Sequence, residues 1–205
     1  MNILWVNGWG IPAEWLRNLA AGIFPDAAHT VVPPLAEHEL LHERNRFDRV
    51  AGYSLGAFLV LREEIQLPCG RPVALLAPYF SFVAEDGLGG RVQRTRLRYL
   101  NRWFKREPAG ALNDFYERAG LRELSGRSDL PYERKQLLSG LELLMNGTVP
   151  AAWPERASGF VGADDPLLDA TRLHELCPHL KVVSGSGHHP APLMRSLNRH
   201  WTSPC

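Results

Sequence analysis

The sequence is poor in cysteine and has little net charge. Its 205 residues include three cysteines, Cys69, Cys177 and Cys205, which lie far apart and form no C-x-x-C pair. This pattern predicts neither a disulfide framework nor a zinc site and is typical of a reducing cytosol. With 23 Lys and Arg against 22 Asp and Glu, the formal net charge is +1. That near-neutral balance argues against a nucleic-acid-binding protein, because such proteins carry a marked basic excess.

The sequence also lacks an apolar run long enough to span a membrane. Residues 1–6 (MNILWV) have neither the basic start nor the length of a signal peptide. A chain of 205 residues suits one domain with a sizeable core. We therefore expect a cytoplasmic protein with no membrane or nucleic-acid partner, monomeric or a small oligomer, the monomer being preferred.

Strand and helix signals alternate from the first residue. Apolar runs at 3–6, 30–32, 47–51 and 72–78 have the composition of buried strands, and further strand signals return at 159–162 and 180–183. This alternation predicts an α/β fold with a mostly parallel sheet flanked by helices. The polar segment 36–45 is predicted to be an exposed helix or loop, and residues 68–70 a turn.

The character of the sequence changes after residue 80. Residues 87–90 (Gly-Leu-Gly-Gly) predict a flexible hinge, and residues 91–147 have apolar side chains at helical spacing with no convincing strand. Pro108, Gly120 and Pro131 separate the helical pieces. We expect a helical cap inserted at about residues 85–150 of a single domain that covers residues 1–205.

Residues 52–56 (Gly-Tyr-Ser-Leu-Gly) match the G-x-S-x-G nucleophile elbow, a sharp strand-to-helix turn that presents a serine hydroxyl. The serine backbone is strained in this turn, so the residues two positions away must be small to let strand and helix approach. The following helix directs its N-terminal N–H groups at charge forming near Ser54. Glycine and serine also form ordinary turns, so the weight of the motif depends on its surroundings.

An elbow serine needs a histidine base and a carboxylate that orients it. The strand at 159–162 leads into Asp164 and Asp165, and the strand at 180–183 leads into His188 and His189. Carboxyl ends of parallel strands meet at one edge of a sheet, so both loops should open beside Ser54. We prefer Asp165, which stands deeper in its loop and directly before a proline. We prefer His188 because it lies in a Gly-His-x-Pro turn.

Other polar residues have simpler interpretations. Asp169 is expected at a helix start or on the surface. Surface positions also explain the remaining histidines, His29, His38, His42, His174, His179 and His200. We expect neither a metal nor another cofactor at these histidines, although His38 and His42 have the spacing of an H-x-x-x-H pair.

An oxyanion hole requires two backbone N–H groups. One is expected from Leu55, the residue after the serine. The other is expected from Trp9, in the loop after the first strand (Asn-Gly-Trp-Gly, residues 7–10). Trp9 is equally suited to packing as a core aromatic, and both roles are compatible because the hole uses the backbone.

With these motifs the sequence resembles the α/β-hydrolase superfamily over almost its whole length. More narrowly, it is similar to the pimeloyl-[acyl-carrier protein] methyl ester esterases of biotin synthesis. The similarity comprises residues 7–10, A-E-x-L at 13–16, the elbow, R-L-x-x-L at 96–100 and SGLELL at 139–144. The chain departs from that pattern by starting directly at the strand before residue 7, so a shortened N-terminus without two leading strands is expected. It also has Asn7 where histidine is common and Tyr53 where this family often has tryptophan.

The resemblance implies a serine carboxylesterase whose substrate is an acyl chain ending in a methyl ester and tethered to an acyl carrier protein. Such a substrate requires an apolar channel above Ser54 and a cationic surface for the acidic carrier. The candidates for the channel are Leu97, Leu100, Trp103 and Phe104. The basic residues of this segment are Arg91, Arg94, Arg96, Arg98, Arg102, Lys105 and Arg106, and Arg91, Arg94, Arg98 and Arg102 are the chosen carrier-binding candidates.

Other interpretations remain open. A basic segment of this kind is also typical of an amphipathic helix with a solvated charged face. The same triad serves thioesterases and small-ester hydrolases without a carrier partner. A non-catalytic binding module with the same fold is the alternative from a different class.

Overall fold

A computed structural model of the protein describes residues 1–34, 43–66 and 70–202. Predictions made for His38, His42, Cys69 and Cys205 lie outside these residues, as do most of the polar segment predicted at 36–45 and of the turn predicted at 68–70. Within the described residues, Glu43–Arg46 form a short 3₁₀ helix, and Cys177 is a buried free thiol.

Six of the eight described strands form one sheet. In chain order the strands are β1 (Asn2–Val6), β2 (Ala28–Val32), β3 (Arg49–Tyr53), β4 (Val73–Leu76), β5 (Ser81–Val83), β6 (Gly89–Val92), β7 (Ala157–Gly162) and β8 (Lys181–Val183). The large sheet has the order β2-β1-β3-β4-β7-β8, and every neighbouring pair is parallel. All four residues of β4 are buried, so both faces of the central sheet are covered. The predicted parallel α/β sheet is confirmed.

The described residues include seven α-helices. They are α1 (Ala13–Ile23), α2 (Leu55–Gln66), α3 (Arg94–Arg106), α4 (Pro108–Ala119), α5 (Arg134–Asn146), α6 (Ala170–Leu176) and α7 (Pro190–Thr202). Helix α2 packs on β3 and its neighbours, while α1 and α7 pack against each other. In the described parts of the chain, none of these helices combines the length and the apolar character needed to cross a membrane.

The helices α3, α4 and α5 belong to the predicted insertion, and we keep the name cap for residues 85–150. Helix α3 packs against both α4 and α5, and α5 also contacts β5. The apolar spacing correctly indicates the buried face of α3, where Leu97, Leu100 and Phe104 are buried. Gly120, predicted as a break, ends α4 in a left-handed conformation with φ of 71°.

The predicted hinge at residues 87–90 is wrong. Residues 89–92 form the strand β6, which pairs in parallel with β5, so this segment is not purely helical either. A β-carbon at Gly90 would lie 2.0 Å from the carbonyl oxygen of Phe82. Glycine is therefore required for close contact between two backbones rather than for flexibility.

Candidate active site

Ser54 occupies the turn between β3 and α2. Its φ is 52°, a left-handed conformation that costs a non-glycine residue about 1–3 kcal/mol. A β-carbon at Gly52 would lie 2.6 Å from the carbonyl oxygen of Gly56, and one at Gly56 would lie 2.0 Å from that of Val6. Larger side chains at either glycine would push the helix away from the strands. The steric reason for the G-x-S-x-G spacing is thus visible in the packing.

The structure brings Ser54, His188 and Asp165 into one chain of hydrogen bonds. His188 Nε2 lies 3.0 Å from Ser54 Oγ, and His188 Nδ1 lies 2.7 Å from Asp165 Oδ2. Because the carboxylate can only accept, we assign the proton to Nδ1, which leaves Nε2 free to accept from the serine hydroxyl. The three residues are 6%, 2% and 0% exposed, so water scarcely competes for these bonds.

The neighbours Asp164 and Asp165 have different surroundings. Asp165 is fully buried, and its Oδ1 accepts from the amides of Leu167 at 2.8 Å and Leu168 at 3.1 Å. These two bonds fix the carboxylate so that Oδ2 faces His188. Asp164 is exposed to solvent. Asp169 caps α6, accepting from the amide of Arg172 at 3.0 Å, as expected of a helix-start residue.

The neighbours His188 and His189 also diverge. The His189 ring points to the cap, where Nε2 lies 2.6 Å from Glu123 Oε1, and Nδ1 accepts from the amide of Ala191 at 3.1 Å. With Nδ1 accepting, Nε2 carries the proton and donates to the carboxylate. His189 therefore joins the loop of His188 to the cap and does not face Ser54.

Sequence reasoning assigned no role to Tyr53, yet Tyr53 supports the histidine loop. Its buried phenol donates to the backbone carbonyl of His188 at 3.0 Å. Burial, and to a smaller extent the carboxylates of Asp165 and Glu123, raise the pKa of Tyr53 well above its ordinary value. The hydroxyl consequently stays protonated and remains a donor. A signal for this role was present in the sequence, because Tyr53 lies inside the G-x-S-x-G motif, between Gly52 and Ser54.

The loop after β1, residues 7–11, lies beside Ser54 because Gly56 packs on the backbone of Val6 and Asn7. Asn7 is fully buried and organises this loop with its side chain. Its Nδ2 donates to the carbonyl of Ile11 and its Oδ1 accepts from the amide of Gly8, both at 2.8 Å. Asn7 thus ties the two ends of the loop together, a role that the sequence did not reveal.

Trp9 has the packing role expected for a core aromatic. It is 2% exposed, and its ring meets Phe115 edge to face at 4.8 Å between centroids. Its indole Nε1 donates to the carbonyl of Leu137 at 2.8 Å. The side chain is therefore fully engaged within the protein. Leu55 begins α2, so its amide has no intrahelical acceptor.

A cavity of about 530 Å³ lies between α3, α4 and the loop after Asp165. Its apolar lining includes Phe82, Leu97, Leu100, Phe115 and Leu167, and its polar lining includes Arg91, Arg96 and Arg118. Two of the four predicted channel residues, Leu97 and Leu100, line this cavity. Phe104 is instead buried against Trp9, and Trp103 lies beside an outer hollow with Tyr99 and Arg102.

The four arginines chosen as carrier-binding candidates fall into two pairs. Arg91 donates to the carbonyl of Asp165 at 3.4 Å and lies 3.7 Å from Asp169. Arg94 bonds to Asp86 at 2.9 Å and to the carbonyl of Met145, tying α3 to α5. Arg98 and Arg102, by contrast, are exposed and have no hydrogen bond or ion pair with another described residue. They share an open hollow between α3 and α5.

The sequence matches the model of the α/β-hydrolase family over residues 3–196. The chain belongs to this family, whose fold and whose arrangement of elbow, acid loop and histidine loop agree with the geometry above. No curated protein matches the chain by sequence.

Solved structures with the same fold include a deformylase and a thioesterase. The N-formylmaleamic acid deformylase of Pseudomonas putida S16 is 14% identical, with a TM-score of 0.65 over 96% of this chain and 89% of that one. The RedJ thioesterase of the prodiginine pathway of Streptomyces coelicolor is 18% identical, with a TM-score of 0.52 over 97% and 89%. TT1662 of Thermus thermophilus is 15% identical, with a TM-score of 0.52 over 100% and 90%. At these identities the similarity shows the fold alone.

Proposed function

We propose that this protein is a serine carboxylesterase in which Ser54 is the nucleophile, His188 the general base and Asp165 the group that holds the imidazole. The Ser54 hydroxyl attacks the ester carbonyl while His188 Nε2 takes its proton. Asp165 stabilises the imidazolium that results. The proton then passes from Nε2 to the leaving alkoxide, so that an alcohol departs and an acyl-enzyme remains.

Water completes the cycle by the same route. His188 removes a proton from the water that attacks the acyl-enzyme, and returns it to Ser54 as the acid leaves. In both steps the negative charge on the carbonyl oxygen is stabilised by the amides of Trp9 and Leu55. The strained φ of Ser54 supports this role, because such strain is retained where the surrounding fold holds a reacting group in place.

The observation that carries the proposal is the pair of buried contacts at His188, 3.0 Å to Ser54 and 2.7 Å to Asp165. The variant Ser54→Ala should lose hydrolysis of p-nitrophenyl acetate by about 10³-fold or more. Its melting temperature should not fall, since the substitution removes one hydroxyl from a strained turn. Turnover by Ser54→Ala equal to that of the wild type would exclude the mechanism.

For the substrate, we propose the methyl ester of a pimeloyl chain on an acyl carrier protein. The cavity of about 530 Å³ offers an apolar lining for an acyl chain next to the loop of Asp165, and its lining includes none of the three triad residues. The exposed side chains of Arg98 and Arg102 lie on the cap and suit an acidic carrier. Because the triad also accepts thioesters, matched oxygen-ester and thioester substrates should be compared directly.

The carrier proposal is tested with the double variant Arg98→Glu, Arg102→Glu. We expect a fall in kcat/KM of about tenfold for the carrier-bound methyl ester at low salt, and little change for the free methyl ester. The matched control is Arg17→Glu, Arg195→Glu, which reverses two exposed arginines on α1 and α7. Equal effects of the two double variants would contradict a carrier site on α3.

The biological role is tested by growth. A strain that lacks its own pimeloyl-ester esterase should grow without biotin when it expresses the wild-type protein, and should not grow when it expresses Ser54→Ala. Failure of the wild type to restore growth, with an active purified enzyme, would assign the esterase to another substrate.

A further inference from the structure

The loop at residues 7–11 has one amide that the protein leaves open. The amides of Asn7, Gly8 and Ile11 donate to Val32 O at 3.0 Å, Asn7 Oδ1 at 2.8 Å and Gly8 O at 3.4 Å. The amide of Gly10 donates to the phenol oxygen of Tyr132 at 2.6 Å. The amide of Trp9, between them, has no acceptor among the described residues. The neighbouring amides are thus withheld from a ligand, and that of Trp9 is presented.

Gly10 is held on both sides by tyrosines of the cap. Tyr132 accepts from its amide, and the hydroxyl of Tyr116 donates to its carbonyl oxygen. Gly10 has φ of 73°, and a β-carbon there would lie 2.7 Å from Leu112, so the position requires glycine. The peptide groups that follow Trp9 therefore take their orientation from two phenols more than a hundred residues away.

Helix α5 of the cap also rests directly on the candidate oxyanion hole. The indole of Trp9 donates to Leu137 O, and a β-carbon at Gly140 would lie 2.5 Å from the Trp9 ring and 3.3 Å from the Leu55 side chain. The absence of a side chain at Gly140 lets the helix contact both residues whose amides form the hole. The cap therefore contacts the candidate oxyanion hole directly, at both Trp9 and Leu55.

We propose that Tyr116 and Tyr132 are positioning residues, which fix the Gly10 peptide groups and thereby aim the Trp9 amide at the carbonyl oxygen of the substrate. This inference rests on the proposed esterase function. Neither tyrosine touches the substrate. Their effect is felt in the transition state, where a misdirected amide stabilises the oxyanion less well.

The protonation of the two phenols agrees with this role. Burial raises the pKa of Tyr116 to about 12, and burial raises the pKa of Tyr132 well above its ordinary value. Both groups are therefore neutral at the pH of an esterase assay. Tyr116 keeps the proton it donates to Gly10 O, and Tyr132 keeps an uncharged oxygen that accepts from Gly10 N–H.

The experiment compares Tyr116→Phe and Tyr132→Phe with wild type and with Tyr79→Phe. Tyr79 is a matched control because it is 1% exposed, and its hydroxyl has no hydrogen-bond partner within the described structure. Complete loss of one oxyanion donor costs about 10²–10³ in kcat. Misdirecting that donor should therefore lower kcat for p-nitrophenyl butyrate by about tenfold in each of the two variants, with KM unchanged. Tyr79→Phe should retain wild-type kcat.

A second readout separates positioning from a general loss of structure. A trifluoromethyl ketone forms a tetrahedral adduct with the serine, so its inhibition constant should rise by the same factor as kcat falls. Assays are run well below the melting temperature of each variant. If one tyrosine variant does not fold, the other alone is enough to test the inference. An unchanged kcat in a folded variant would overturn the inference, as would a loss confined to KM. Wild type that hydrolyses the ester no faster than Ser54→Ala would overturn the esterase proposal itself.

Discussion

The α/β core and the cap contribute to the candidate site in different ways. In the core, Ser54, Asp165 and His188 lie just beyond the ends of β3, β7 and β8, and they bond directly to one another. The cap instead forms hydrogen bonds to the neighbouring loop at residues 7–11. Tyr116 and Tyr132 bond to the backbone of Gly10, and the carbonyl of Leu137 accepts from the indole of Trp9. The core thus carries the groups proposed to react, and the cap holds the loop proposed to stabilise the oxyanion.

This difference has a consequence for mutations. A change in a reacting group should remove the chemistry while leaving the fold intact. A change in a cap contact should instead alter stability, or weaken the chemistry without abolishing it. The three predictions below test that division, beginning with the largest effect.

The adjacent aspartates test the core. Asp165→Asn should lower kcat by about 10³–10⁴-fold, because an amide in place of the carboxylate favours the wrong tautomer of His188. Asp164→Asn, at an exposed position one residue away, should keep wild-type kcat. Steady-state kinetics with p-nitrophenyl butyrate measure kcat for the two variants and for the wild type. A loss of activity in the Asp164 variant that matches the Asp165 variant would show that the assignment within the pair is wrong.

The glycines of the predicted hinge test the start of the cap. Gly90→Ala should destabilise the fold by about 2–3 kcal/mol, because the new methyl group would meet the backbone of Phe82. Gly87→Ala should cost about 1 kcal/mol, since its φ of 66° is strained for alanine but the space around it is open. Urea denaturation measures both. Equal, small losses would restore the flexible-hinge interpretation.

Two arginines on α3 test the interior of the cap. Arg94→Ala should lower the free energy of unfolding by about 1–2 kcal/mol, because Asp86 Oδ1 and the carbonyl of Met145 both lose the guanidinium that donates to them. Arg98→Ala, at an exposed position on the same helix, should change it by less than about 0.5 kcal/mol. Thermal melts of the two variants under identical conditions provide the comparison, and the reverse order would contradict the observed contacts.

The core was largely predictable from the sequence. Strand ends of a parallel sheet converge on one edge, so knowing that residues 159–162 and 180–183 are strands was enough to place Asp165 and His188 near Ser54. The choice of Asp165 over Asp164 rested on its deeper position in the loop and on the proline that follows it. In the structure Asp165 is buried and accepts from the amides of Leu167 and Leu168, whereas Asp164 is exposed.

The contacts of the cap could not be predicted in the same way. Helical spacing showed that Leu97 and Leu100 face inwards, but it made Arg94 and Arg98 look alike. Which arginine forms an ion pair depends on where Asp86 and α5 lie in space. The bonds from Tyr116 and Tyr132 to Gly10 join residues more than a hundred positions apart, and periodicity carries no information at that distance.

The most direct test of the central claim is labelling by a fluorophosphonate, which reacts with serines that an adjacent base has activated. Intact mass should show one adduct on the wild-type protein, and peptide mapping should place it on Ser54. Ser54→Ala should take up no label, and Asp165→Asn should be labelled far more slowly than Asp164→Asn. Absence of an adduct on the wild type, or labelling that persists in Ser54→Ala, would contradict the account.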